Sequence, residues 1–395
     1  MSIFSNSLAT WIQNFSVNSA IMMVMMIFMI VGAIDRMLGN KFGYGEEFEK
    51  GFSAMGPLAL AMAGVIAAAP LLAQMLGPII SPIYAFMGAD PAMFATTIIG
   101  TDVGGYALAM ELAANPAIGN FAGLILGTMM GITIVFTIPV ALAIIKEEDR
   151  PYLAAGLLAG MVTIPLGCIA GGLAMNLTEF KLDIMTILTN LVPVIIIASL
   201  IILGLWFFPV KMIHGFNYFG NFVTIMITFF TAVAVFQQIT GIMFPYLYVM
   251  SVKDDVTGLS SLDSGLLICG QIGIVLIGAF PMVKWITRTF GSLLHKFGAA
   301  LKINDVAASG LIANLANNIA MFNLMGQMNP KGKLINVAFA VSAAFTFGDH
   351  LGFTAGVESQ MIFPVVVGKL TAGITAIIVA NFLAPKLLNK INNVL

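Results

Sequence analysis

Long apolar stretches alternate with short polar ones along the whole chain. Ile21 to Ile34, Leu153 to Met175 and Ile187 to Val210 carry no charge, and Lys369 alone interrupts Phe363 to Leu383. About 20 apolar residues suffice for a helix to cross a bilayer. The short alternating segments of a transmembrane barrel are absent. Polar punctuation predicts ten or eleven membrane segments, near 21–38, 52–74, 91–112, 118–145, 152–175, 185–209, 217–245, 263–283, 304–327, 333–357 and 361–385. The expected fold class is all-α, a polytopic transmembrane helical bundle forming one integral membrane domain over residues 1–395.

Several polar stretches refine this picture. "KEEDR" (146–150) reads as a solvated turn, and "SVKDDVTGLSSLDS" (251–264) is the longest polar loop. Residues 284–302 space Lys284, Arg288, His295 and Lys296 among apolar positions, which predicts a helix lying on the membrane surface. Phe4, Leu8, Trp11, Ile12 and Phe15 recur at helical spacing without a basic leader, so residues 1–20 read as an interfacial helix and not as a cleavable signal. Residues 75–90 could cross, re-enter or lie flat. Lys146, Arg150, Lys211, Lys284, Arg288 and Lys296 suggest one cytoplasmic side, but Lys331, Lys333, Lys386 and Lys390 oppose it under an eleven-span count.

Shifting the chain by about 215 residues aligns Gly77 with Gly291, Asp90 with Asp305, Asp102 with Asn317, and Asn115-Pro116 with Asn329-Pro330. Two repeat halves, 21–180 and 215–390, with discontinuous helices are expected from this. Secondary transporters use such duplication and bind cargo between the repeats.

Composition agrees with a membrane setting. The chain is 59% hydrophobic and 9% charged, against about 25% charged in soluble domains. A net charge of -1 offers nothing to nucleic acid. Cys168 and Cys269 lie in apolar runs and read as packing residues, as do the 27 methionines. No HExxH-type pattern supports an intramembrane enzyme, and neither metal nor cofactor is expected. A homo-oligomer is left open.

The candidate chemistry lies in polar residues inside apolar runs. An Asp at a helix centre costs about 2.5–3.5 kcal/mol on insertion scales. "GTDVGGY" brings Thr101, Asp102 and Tyr106; "ANLANNIAMFN" brings Asn314, Asn317 and Asn318; "TFGDHLGF" brings Asp349 and His350. Glycines or small residues beside each cluster predict interrupted helices whose freed backbone lines a cavity. Asn314 and Asn318 are expected on one helix face. The alternative for every one of these residues is hydrogen bonding between helices. Glu111 and Glu358 read as solvated, Gln237, Gln238 and Gln271 as helix glue, and Lys369 as snorkelling to an interface. An excess of buried acids favours a cation or an amine, and Tyr106 could offer its ring to an ammonium group.

These stretches carry a family likeness. "FSAMGPLALAMAG" (52–64), "TDVGGY" (101–106), "LGTMMGITIVFTIPVAL" (126–142), "GMVTIPLGCIAGG" (160–172), "ANLANNIAMF" (313–322) and "FAVSAAFTFGDHLGF" (339–353) resemble the EutH family, the ethanolamine permeases of bacterial ethanolamine utilisation. The likeness runs from residue 25 to residue 377. The family pattern has proline where this chain has Ile132 and Ala320, departures that bear on kinks and spare the polar groups. The resemblance implies a multi-pass inner-membrane importer of ethanolamine, and it supplies no binding residues. The sites therefore rest on the polar clusters: Asp102 for the ammonium group, with Thr101, Asn317 and Asn318 for the hydroxyl or the path. Asp349 and His350 would complete the cavity or carry a coupling proton. A channel-like facilitator of small amines or ammonia, and an ion-coupled transporter of another small polar metabolite, are the rival functions.

Overall fold

A computed structural model describes residues 2–254 and 257–392. Helix α1 (Ser2–Gln13) precedes α2 (Val17–Met37), and α3 (Tyr44–Ser53) runs almost directly into α4 (Met55–Phe86). Helices α5 (Ala92–Ile98) and α6 (Gly105–Leu112) flank an unwound stretch. Next come α7 (Pro116–Asn120), π-helical turns over Phe121–Gly131 and Thr133–Thr137, and α8 (Ile138–Ile144), which form one run. Helices α9 (Arg150–Met161) and α10 (Ile164–Ala174) are bent by 41°. Three long helices come next: α11 (Ile184–Phe207), α12 (Pro209–Thr240) and α13 (Ser261–Leu301). Two further interrupted pairs, α14 (Asp305–Ala316) with α15 (Asn318–Leu324) and α16 (Pro330–Ala343) with α17 (Asp349–Val357), lead to α18 (Ile362–Asn392). The described residues hold a single isolated bridge, Lys253–Ser260, and no sheet.

The helical membrane fold is as expected, but the ten or eleven segments are of two kinds. Seven runs are long and apolar enough to cross a membrane, or eight with the bent α9–α10 pair. The other three expected segments, 91–112, 304–327 and 333–357, are the interrupted ones. Their pieces reach fourteen residues at most, about 21 Å of helix, short of a hydrocarbon core roughly 30 Å thick.

Other expectations change. Residues 75–86 form no separate segment but continue α4, which contains Pro70, Pro78 and Pro82. Residues 284–301 are the second half of α13, not a detached surface helix, and the His295 side chain lies outside the described residues. Lys284 is drawn in because its ammonium donates to the Gly43 carbonyl at 2.8 Å and stands 3.5 Å from Glu47.

Contacts between helix ends define two sides of the bundle. On one, Lys333 pairs with Asp149, beside Arg150, and Lys390 donates to the Trp206 carbonyl at 2.6 Å. On the other, the Asp90 amide donates to Asn190 (2.7 Å), and the Asp90 carboxylate accepts from the Ala114 amide (3.0 Å). Gln360 there meets Glu179 and, through its carbonyl, Asn18 (2.7 Å). Lys333 and Lys390 thus fall on the same side as Arg150. The apparent conflict came from counting 304–327 as a full crossing, whereas its ends meet on one side: the Asn304 amide donates to Asn329 Oδ1 (3.4 Å) and the Asn329 amide to Asn304 Oδ1 (3.3 Å).

The inner helices are close-packed and the outer ones present apolar side chains outward. The π-helical run is buried from Phe121 to Gly131, whereas Ile195, Leu200 and Leu203 of α11 and Phe222, Ile225 and Phe229 of α12 are exposed. Asn115 and Asn329 cap α7 and α16 alike, accepting from the Ile118 and Gly332 amides at 3.1 and 3.0 Å. Beyond these matching caps the two regions diverge, with one unbroken run after Asn115 and an interruption after Asn329.

Candidate functional site

Three chain breaks build the interior. In the first, Ile99 and Gly100 are extended, Thr101–Val103 makes one tight turn, and Gly104 takes φ +96°, a left-handed value that favours glycine. In the second, Asn317 is extended between α14 and α15, and its side chain accepts from the Ile319 amide at 2.8 Å. In the third, between α16 and α17, Phe345 lies at φ +62°, a strained setting for a bulky residue.

The second and third breaks interlock. The amides of Phe345 and Phe347 donate to the carbonyls of Asn314 and Leu315, both at 2.9 Å. Those carbonyls would be orphans at the end of α14, so one break satisfies the other. Gly348 sits so close to the Ala316 carbonyl that a Cβ would collide with it.

The predicted residues gather around these breaks. Thr101 is fully buried and Tyr106 half-buried, and both line a cavity of ≈ 360 Å³. Gly104, Met110, Glu111 and Phe353 line it too, with Asp254, Thr257, Ser261 and Ser264 from the long polar loop and the start of α13. The Tyr106 ring meets Phe353 edge-on at 5.8 Å, and its hydroxyl lies 3.4 Å from Asn120 Oδ1. Asp102 stands next to Thr101 and is not among the cavity's lining residues. Asp349 begins α17, close enough to Asp102 for their charges to interact. His350 is buried, its ring 5.1 Å from Phe345.

The asparagines are placed differently from expectation. The break at Asn317 puts Asn314 on α14 and Asn318 on α15, so they share no single helix face. Asn314 donates to the Asn336 carbonyl (3.2 Å) and Asn318 to the Thr137 hydroxyl (3.0 Å). Asn317 serves as a helix cap. Glu111 is exposed, and Gln237 joins Leu247 and Ser251, both as expected.

Many interior polar atoms have no partner. Thr101 Oγ1, Asp102 Oδ1, Asn314 Oδ1, Asn318 Oδ1 and both ring nitrogens of His350 are buried without a hydrogen bond, as are Asn336 Oδ1 and Ser342 Oγ. Roughly nine in ten buried polar groups in proteins are paired. A cluster of exceptions marks a place where a polar guest or water belongs.

The sequence reading missed Lys369. It does not snorkel: it is 1% exposed, and its Nζ donates to the Thr128 carbonyl in the π-helix at 2.7 Å. It lies near enough to Asp102 and His350 for its charge to act on both. An ammonium has three protons to donate. The signal was present, since Lys369 is the one charge in an apolar run, but interior and edge lysines look alike in sequence. Asn336, which donates to the Ala307 and Gly332 carbonyls at 2.9 and 3.0 Å, was missed for the same reason. The described residues hold no cluster of three or more side chains suited to a metal.

A multi-pass helical membrane protein with interrupted helices around buried polar and titratable side chains is the class these features define. The chain belongs to the EutH family: the model of "Ethanolamine utilisation protein, EutH" matches residues 17–383. It is 52% identical to "Probable ethanolamine permease EutH" of Listeria monocytogenes, over 95% of this chain and 96% of that protein. It is 48% identical to the protein of the same name in Escherichia coli, over 94% and 96%. A Bacillus subtilis protein, "Uncharacterized protein YxeR", is 43% identical over 94% and 96%. No solved structure matches.

Proposed function

We propose that this chain imports ethanolamine into the bacterial cell across the inner membrane, with Asp102 receiving the ammonium group. The relatives' names support the cargo. The observation that carries the site is the unpartnered, buried Oδ1 of Asp102, one residue from a threonine that lines the cavity. An ammonium group would satisfy that oxygen and also add charge attraction. Asp254 and Glu111 line the cavity and would draw cations toward it. Basic helix ends gather on the side of Arg150, Lys333 and Lys390, which the positive-inside tendency assigns to the cytoplasm. The cavity belongs to the other end, at the loop before α13, and so would face outward.

Before cargo arrives, Lys369 serves as the counter-charge of Asp102. Arriving ethanolamine brings a second ammonium into this layer and competes with Lys369 for the carboxylate. Asn318 Oδ1 accepts from the cargo hydroxyl and the Thr101 hydroxyl donates to its oxygen, while Tyr106 and Phe353 supply aromatic walls. Asn314 and Asn317 shape the path through the second break, and Asp349 and His350 complete the charged layer.

Labelled ethanolamine uptake at low external concentration tests this. Asp102→Asn, shown to be inserted and expressed, should lose about a hundredfold in apparent affinity, as when one member of a buried charge contact is neutralised. Near-normal uptake by that variant would sink the role of Asp102. Exchange of preloaded ethanolamine for external label separates a carrier from a channel-like facilitator, which shows no such counterflow.

A further inference from the structure

A second cavity shares no lining residue with the first. It measures ≈ 260 Å³ and sits on the side that gathers the basic helix ends. The first turns of α9, the elbow joining α11 to α12, and the last turn of α18 enclose it. Its walls are apolar: Ala154, Leu158, Leu205, Ile213, Leu387 and Ile391. Its rim is basic. Arg150, His214 and Lys390 line it, and Lys386 lies over the neighbouring Trp206 ring at 5.5 Å. Lys390 sits 3.7 Å over the same ring and donates to the Trp206 carbonyl. Glu147 is the one carboxylate among the lining residues, 86% exposed and 3.3 Å from Arg150 Nη1. Arg150 Nε is buried with no acceptor.

We propose that this cavity is a binding site for one anionic phospholipid. The charge balance at the rim, Arg150, Lys386 and Lys390 against Glu147, selects a negative group. Arg150 Nε is a ready donor for a phosphodiester oxygen, and guanidinium suits phosphate geometry. The apolar walls match an acyl chain and offer a free polar anion nothing. The elbow joins two spanning helices with only Phe208 between them, so the site lies at a membrane boundary. Trp206, with exposed Phe207 and Phe208 beside it, is the kind of aromatic group that settles at headgroup depth. Basic pockets between helices at that depth hold anionic headgroups.

The full chain, purified in detergent, stripped of lipid and then given equal amounts of phosphatidylglycerol and phosphatidylcholine of identical acyl chains, should retain the former over the latter in native mass spectrometry. Lys386→Gln and Lys390→Gln should each lower that retention by about fivefold, the factor expected for one basic residue near a lipid surface. Ala154→Phe, which fills the cavity and leaves the rim charges alone, should remove bound lipid of both kinds while thermal unfolding shows the protein folded. Equal retention of the two lipids would overturn the proposal. So would retention unchanged in Lys386→Gln/Lys390→Gln, or displacement of the lipid by glycerol phosphate at equal concentration, since a headgroup alone would then suffice.

Discussion

The outer helices and the interrupted interior solve the same problem in opposite ways. On α12, Thr224, Thr228 and Thr231 each donate to the carbonyl four residues back, at 3.1, 2.8 and 2.8 Å. Their polarity is settled within one helix, and the apolar face is left to the lipid. In the interior, Thr101, Asp102, Asn314, Asn318 and His350 keep buried atoms without partners. A bilayer tolerates irregular backbone only where protein encloses it or water reaches it. One region is therefore built to persist in lipid, and the other encloses polar atoms that its own helices leave without partners.

The comparison is most sharply tested at Lys369. Removing one of two opposed buried charges costs about 3–5 kcal/mol, whereas replacing both with neutral groups is often near neutral. Lys369→Met should lower thermal stability in detergent markedly, and Asp102→Asn/Lys369→Met should recover most of the loss. A double variant no more stable than the single one would separate the two charges.

Gly348→Ala comes next. Its Cβ would meet the Ala316 carbonyl and press apart the two interlocked breaks. The expected loss is about 1–3 kcal/mol, the usual range for overpacking, together with slower uptake. Unchanged unfolding and uptake would mean that the breaks do not depend on this approach.

Asp183 probes a settled site at the start of α11. The Thr186 hydroxyl (2.6 Å) and amide (3.0 Å), then the Met185 amide (2.9 Å), hold its carboxyl below the usual range. Such a carboxyl contributes stability above its unfolded pKa, about 3.9, and loses it as pH falls through the folded value. Wild type and Asp183→Asn should therefore converge in thermal stability as the pH drops below about 4. A gap independent of pH would contradict a charged cap. The smallest effect belongs to Thr228→Val on the outer face, within about 0.5 kcal/mol. A larger change in its melting curve would show that α12 is not the self-contained helix its hydrogen bonds describe.

The long helices were legible because a lipid-facing helix must be apolar over its whole length. The breaks at residues 99–104 and 344–348 were legible as well, since "GTDVGG" and "FGDH" set polar groups beside glycine in apolar runs. Their consequences were not. That Phe345 and Phe347 would satisfy the end of α14 is a long-range pairing with no local mark. Likewise, Asn317 reads in sequence as a helical residue among four asparagines, and only the surrounding packing makes it a cap. The depth of Lys369 depends on where the Thr128 carbonyl lies, some 240 positions away in the chain.

Cargo that crosses the buried layer of Asp102, Asp349 and Lys369 would feel the membrane voltage only through the net charge it carries. Charge moved across a membrane couples to the potential at about 2.3 kcal/mol per elementary charge per 100 mV. A protonated amine passing this layer alone carries current and is drawn inward by an inside-negative cell. A neutral amine carries none, and a protonated amine exchanged for an outgoing proton carries none in net. Uptake measured against an imposed potential thus separates passage as a lone cation from passage without net charge.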